Sequence, residues 1–180
     1  MGALLAKENI WYVGTQDPNL RVFDIIMHSD WGTSYNAYLV KGSEKTALFE
    51  TSKLEFFDEF LANVREVCDP ASIDYIVVDH TEPDHSGSLE KLLALAPNAT
   101  VLGSATALNF LKQIVNHEFA CRAVTEKDTV DLGGMTLHFL SVPFLHWPDS
   151  MYTYIPEAKA LFTCDSFGCH YAGSPVFNDL

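Results

Sequence analysis

Basic residues are scarce in this sequence: 11 lysines and arginines stand against 24 aspartates and glutamates, a formal net charge of -13. Such a chain repels phosphate backbones, which argues against nucleic acid as a partner and leaves a basic or small redox partner open. Long hydrophobic runs are missing too. No segment approaches the roughly 18 unbroken apolar residues of a membrane-spanning helix. The opening "MGALLAKENIWYVG" lacks a basic start, a long apolar stretch and a small-residue cleavage pattern. The expectation is a soluble, cytoplasmic protein without membrane contact. Cysteine is sparse and scattered: Cys68, Cys121, Cys164 and Cys169 form no C-x-x-C pair, so a disulfide frame is not indicated and a reducing compartment fits. Cys164 sits in an apolar strand-like run and reads as a small core residue. Cys169 lies in a loop, with nothing in the sequence to activate its thiol. Repeats, low-complexity stretches and linkers are also missing. What remains is 180 residues that are 48% hydrophobic and 19% charged, the balance of one packed globular domain.

The first fifty residues hold short runs rich in β-branched and aromatic side chains, "NIWYVGT", "RVFDIIM", "SYNAYLV" and "TALFE", with turn residues between them. They predict a strand meander. From Leu54 to Val67 the period changes, and Phe57, Phe60, Leu61 and Val64 mark one buried helix face. "IDYIVVD" is apolar on both faces and predicts a central strand in a covered sheet. The helix "SLEKLLALA" ended by Pro97, the strand "ATVLGS" and the helix "ATALNFLKQIVN" continue the alternation. Strands return with "TVDL" and "MTLHFLSV", joined by Gly133-Gly134, and with the pair "MYTYIP" and "ALFTCD". The pattern predicts an α/β layered domain with its loops presented at strand ends.

Chemistry concentrates after one of those ends. "VVDHTEPDHSG" places His80, Glu82, Asp84 and His85 within six residues. In an extended loop, residues two apart share a side, so His80, Glu82 and Asp84 would converge while His85 points to a neighbouring position. That suits two metals close together. The plainer reading is a polar loop whose Asp84 or Ser86 caps a following helix; four donor residues in so short a stretch favour metal. "PFLHWPDSM" sets His146 just past an apolar strand, and "LFTCDSFGCH" sets Asp165 where an apolar run would otherwise continue. A buried aspartate there needs a partner or a metal. His117 is explained by a helix C-terminus and His138 by a water-facing strand position, whereas His28 and His170 lie in loops that could approach the site. Glu82, a carboxylate among imidazoles, adds a hard oxygen donor, which moves preference from zinc toward iron or manganese.

The H-x-E-x-D-H run resembles the H-x-H-x-D-H signature of the metallo-β-lactamase fold, with Glu82 where zinc hydrolases carry histidine. "HTEPDHSG", "LHWPDSM" and "DSFGCH" together resemble segments of the flavodiiron proteins, also called A-type flavoproteins or rubredoxin:oxygen oxidoreductases, in that family's order. The resemblance implies a metallo-β-lactamase-like αββα sandwich. It implies His80, Glu82 and His146 on one iron, Asp84 and His85 on a second, and Asp165 bridging them. It implies reduction of dioxygen to water or of nitric oxide to nitrous oxide by a non-haem di-iron centre. Electrons would come from rubredoxin or a similar donor through FMN, in a head-to-tail homodimer. The family also has a further histidine downstream and an FMN-binding flavodoxin-like domain. Residues 1–180 end at "SPVFNDL", 15 positions past Asp165 (180 less 165). The expectation is therefore one di-iron domain incomplete at its C-terminus, with the flavodoxin-like domain outside it and little turnover by these residues alone. A zinc-dependent hydrolase of the same fold and an oxygen-binding di-iron sensor are the alternatives.

Overall fold

The structure, a computed structural model, describes residues 2–177; Met1 and residues 178–180, the end of "SPVFNDL", lie outside the described residues. The first fifty residues make β1 (Leu4–Lys7), β2 (Ile10–Tyr12), β3 (Thr15–Asp17), β4 (Val22–Phe23), β5 (Met27–His28), β6 (Thr33–Tyr35), β7 (Tyr38–Lys41) and β8 (Thr46–Phe49). Then come α1 (Phe57–Val67), β9 (Tyr75–Val77), the single turn α2 (Pro83–Ser86), α3 (Leu89–Leu93), β10 (Thr100–Gly103), α4 (Ala105–Ile114) and β11 (Cys121–Ala123). The last four strands are β12 (Thr129–Asp131), β13 (Thr136–Ser141), β14 (Met151–Ile155) and β15 (Ala160–Phe162).

These strands form a seven-stranded sheet, ordered β1-β2-β7-β8-β9-β10-β11, and a four-stranded antiparallel sheet, β12 to β15 in sequence order. The large sheet is antiparallel from β1 to β8 and parallel from β8 to β11, because α1 and the segments containing α3 and α4 carry the chain back across one face. Two cores result. On the helix side, Phe57, Phe60, Leu61 and Val64 of α1 meet Leu89, Leu92, Leu108 and Leu111 against Leu48 and Ile76. Between the sheets, Val40, Phe49, Val77 and Leu102 meet Leu137, Phe139, Met151 and Ile155. Ile76 and Val77 thus face opposite cores, which is why the run "IDYIVVD" is apolar throughout. Burying a side chain such as Phe60 contributes about 1.5–3 kcal/mol.

Several expectations need correction. "RVFDIIM" is not one strand. It folds into the two-residue pair β4 and β5, with Asp24 and Ile25 at φ of 48° and 70° in the turn and Ile25 93% exposed. β-branched residues signalled a strand but stand at a tip facing solvent. "NIWYVGT" and "SYNAYLV" each divide, giving β2 and β7 to the large sheet and β3 and β6 to a small one. β1 and β11 are edge strands of four and three residues, too short to show a period. The expected hairpin at Gly133 and Gly134 is present, both at positive φ. The loop after β9 is extended only through Glu82; Asp84 and His85 ride on α2. Neither Asp84 nor Ser86 caps a helix: the Ser86 hydroxyl donates to Thr81 O at 2.8 Å. His138 is half-buried rather than fully open to water.

Candidate metal centre

β9 lies between β8 and β10, and its exit delivers His80 into the interior with no side-chain exposure. Pro83 then fixes the backbone for the first position of α2, where its missing N–H costs nothing. The amides of His85 and Ser86 both donate to Glu82 O at 2.9 Å, so one tight turn fixes Glu82, Asp84 and His85 relative to each other. The opposing sheet supplies the rest. The loop between β13 and β14 brings His146, 54% exposed, and the turn after β15 brings Asp165, 34% exposed. The two sheets are tied here by Met151 N donating to Asp79 O at 2.9 Å and by the Thr153 hydroxyl donating to Asp79 Oδ1 at 2.9 Å.

All six residues named from the sequence come together, and they divide into two groups sharing Asp165. His80, Glu82, His146 and Asp165 can each offer an atom within 4.8 Å of the others; so can Asp84, His85 and Asp165. The two oxygens of Asp165 face different groups. Oδ2 lies 3.1 Å from His146 Nε2 and 3.5 Å from His80 Nε2, while Oδ1 lies 2.7 Å from His85 Nε2. Glu82 Oε2 is 3.1 Å from His80 Nε2 and 3.3 Å from His146 Nε2, and Asp84 Oδ2 is 3.5 Å from His85 Nε2. Asp84 Oδ1 is buried without a hydrogen-bond partner among the described residues. A carboxylate oxygen so placed calls for a cation.

Electrostatics follow from this crowding. Burial opposes charge on His85, but the Asp165 and Glu50 carboxylates outweigh it and hold its pKa well above the ordinary value. Burial likewise opposes ionisation of Asp165, yet the rings of His85, His80 and His146 hold its carboxyl well below the usual range. Burial and the neighbouring Asp24 push Glu82 up to about 7, and burial raises Asp84.

Three acids that the sequence reading passed over surround the groups. Asp149 Oδ2 sits 3.2 Å from His80 Nδ1, Glu50 Oε2 sits 3.5 Å from His85 Nδ1, and Asp24 lines the mouth beside Glu82. A cavity of about 310 Å³ opens there onto Glu82, Asp84, His146 and Asp165, with Phe23, Met27 and His170 also in its walls. His170 Nδ1 lies 3.1 Å from the Thr33 hydroxyl and its ring rests against Phe23, so it borders the site without joining either group. His28 is 70% exposed and paired with Asp30 at 3.4 Å, outside both groups. His117 is exposed beyond the end of α4. Cys169 borders the cavity, and Cys164 is half-buried with its thiol pKa raised by burial.

Two facing sheets, helices on one outer face and a histidine-carboxylate cluster across their shared edge define a class: an α/β protein of the metallo-β-lactamase-like fold. The family model described as "ODP family beta lactamase" matches residues 33–179. The Flavo-diiron protein FprA2 of Clostridium acetobutylicum is 49% identical over 180 residues, covering 99% of this chain and 45% of that protein. Two solved structures superpose closely, each 35% identical. The flavodiiron protein from Giardia intestinalis gives a TM-score of 0.92 over 97% of this chain and 42% of that one. The rubredoxin oxygen:oxidoreductase from Desulfovibrio gigas gives 0.90 over 96% and 43%. The chain belongs to the flavodiiron family and corresponds to its metallo-β-lactamase-like part. It spans a little under half the length of these relatives.

Proposed function

We propose that these residues form the di-iron part of an oxidoreductase that reduces dioxygen to water, nitric oxide to nitrous oxide, or both. The observation that carries this is the division of Asp165, one oxygen toward each donor group, because a carboxylate so placed can bridge two ions. In this reading His80, Glu82 and His146 hold one iron and Asp84 and His85 the other. The donors fit: carboxylates on both sides, with Glu82 in place of an imidazole, favour iron over zinc. Iron held by these residues would supply one electron per ion and Lewis acidity toward the substrate. The chain's own side chains do the rest. His80 and His85 are buried and aimed, Trp147 stands edge-on to the His80 ring at 5.2 Å and limits water on that side, and Phe23 and Met27 give the mouth an apolar lining.

Full reduction of dioxygen takes four electrons, more than two ferrous ions carry. We therefore place an FMN-carrying flavodoxin-like domain elsewhere in the whole protein, with rubredoxin or a similar protein as donor. The rim supports a head-to-tail homodimer: Ile25, Ile26, Phe144, Leu145 and Phe167 are exposed beside cavity-lining residues and suit a subunit bringing its flavin close. The test uses the whole protein, expressed with iron and zinc both supplied. About two irons per chain and steady consumption of dioxygen or nitric oxide with reduced donor are expected. Zinc in both positions with ester or amide hydrolysis would replace this reading by a hydrolase; reversible oxygen binding without turnover would replace it by a sensor.

A further inference from the structure

The donor groups explain how His80 faces a metal but not what fixes its ring. That ring is fully buried, and Asp149, also fully buried, approaches its rear nitrogen. Asp149 Oδ2 accepts from the Thr81 amide at 2.8 Å and from the Thr81 hydroxyl at 2.8 Å, besides lying 3.2 Å from His80 Nδ1. Its backbone carbonyl accepts from the Ser104 hydroxyl at 2.8 Å, which anchors the loop between β13 and β14 to the start of α4. His85, the other buried histidine of the two groups, is held differently. Glu50 Oε2 stands 3.5 Å from His85 Nδ1, a long contact, while Glu50 Oε1 is engaged by the Asp79 amide at 2.7 Å.

We infer that Asp149 is a positioning residue that fixes the tautomer and direction of His80, and that it acts on the first donor group alone. The argument is one of donors and acceptors. A carboxylate at the rear nitrogen accepts only if that nitrogen carries the proton, which leaves the Nε2 lone pair for a metal. The opposite tautomer would set a lone pair against Asp149 and lose the bond. Two short bonds from Thr81 keep the carboxylate in place, so His80 is held firmly from behind, whereas the contact behind His85 is the longer one to Glu50. Asp149 comes from the opposite sheet, so His80 keeps its aim only while that loop is closed on it.

The inference rests on the two-metal reading proposed above, and the test separates the two. Metal-free whole protein is titrated with cobalt(II), and the cobalt-loaded form is examined by proton NMR for exchangeable imidazole N–H signals. The native protein should take up about two ions. Asp149→Ala should weaken one of them by about 10- to 100-fold and leave the other unchanged. Asp149→Asn, which keeps an acceptor but loses the charge, should fall between, with the His80 N–H signal shifted and exchanging faster with water. Glu50→Gln should leave the ion on the His80 side unaffected. Should Asp149→Ala fail to fold, Asp149→Asn and its N–H signal decide. Native affinity for both ions and an unchanged N–H signal in the aspartate variants would overturn the inference, even if their melting temperature fell. A native protein that bound no second ion would overturn the two-metal reading instead.

Discussion

Asp165 is the one side chain common to both donor groups, so its removal should be felt on both sides at once. In the whole protein, Asp165→Ala should lower iron content at both positions and abolish turnover, as read by metal analysis and oxygen uptake. Its neighbour makes the control: Cys164→Ala removes a half-buried thiol and should cost about 1 kcal/mol in a urea titration while iron content holds. Glu82→His would restore an imidazole where zinc hydrolases have one, so zinc should rise at the expense of iron when both are supplied. The six residues of the two groups were legible because four of them crowd into one short segment and the other two follow strands. Asp149 and Glu50 were not. Each is a single acid with no spacing to mark it, and its meaning depends on which histidine the fold sets beside it. A cue existed all the same: "TALFE" ends an apolar run with an acid, as "ALFTCD" does, and the argument used for Asp165 applied equally to Glu50.

Among the elements, the turn after β7 runs close against the β12–β13 hairpin. A Cβ on Gly42 would stand 1.9 Å from Leu132 O, so Gly42→Ala must push backbone apart, with an expected loss of about 1–3 kcal/mol by denaturant unfolding. Ser104 does two things. Its hydroxyl caps α4 by accepting from Ala107 N at 3.0 Å and also donates to Asp149 O. Ser104→Ala should cost about 1–2 kcal/mol and loosen the loop carrying Asp149. Glu157, in the turn between β14 and β15, accepts from the Thr136 amide and hydroxyl at 3.1 and 2.8 Å, and these bonds hold its pKa below the ordinary value. A depressed folded value means that the contribution is present above the unfolded pKa and is lost as pH falls through the folded one. An NMR titration of Thr136→Val should move Glu157 back toward the ordinary value. The middle and last elements were legible because helix and strand periods alternate cleanly there and both glycines of the hairpin were visible. The first forty residues were not, because short β-branched runs look alike whether they join a sheet, like Ile10–Tyr12, or stand in solvent, like the tip at Ile25.

For the molecule as a whole, the outer strand β15 and the turn after it leave Leu161 46% and Phe167 91% exposed beside a cavity of about 390 Å³ that reaches His85 and Asp84. An open strand edge next to apolar surface invites pairing between copies. Expressed as these 180 residues, the protein should therefore retain metal poorly, self-associate and show no sustained turnover. The same chain extended to the length of its relatives should do the opposite, and a side-by-side comparison of iron content, light scattering and oxygen uptake checks it. The meeting of His85 and Asp165 has a mechanical consequence. They lie 80 positions apart in the chain yet 2.7 Å apart in space, one on α2 beside the large sheet and one in the turn after β15. An ion held by both would work as a buckle, closing a loop that takes in α3, α4 and the whole of the second sheet. At a free metal concentration about 100 times the dissociation constant, such a buckle adds about 2.7 kcal/mol to the folded state. Chelation should then be detected far from the buckle itself, as faster amide exchange and easier proteolysis along the whole seam between β9 and β14.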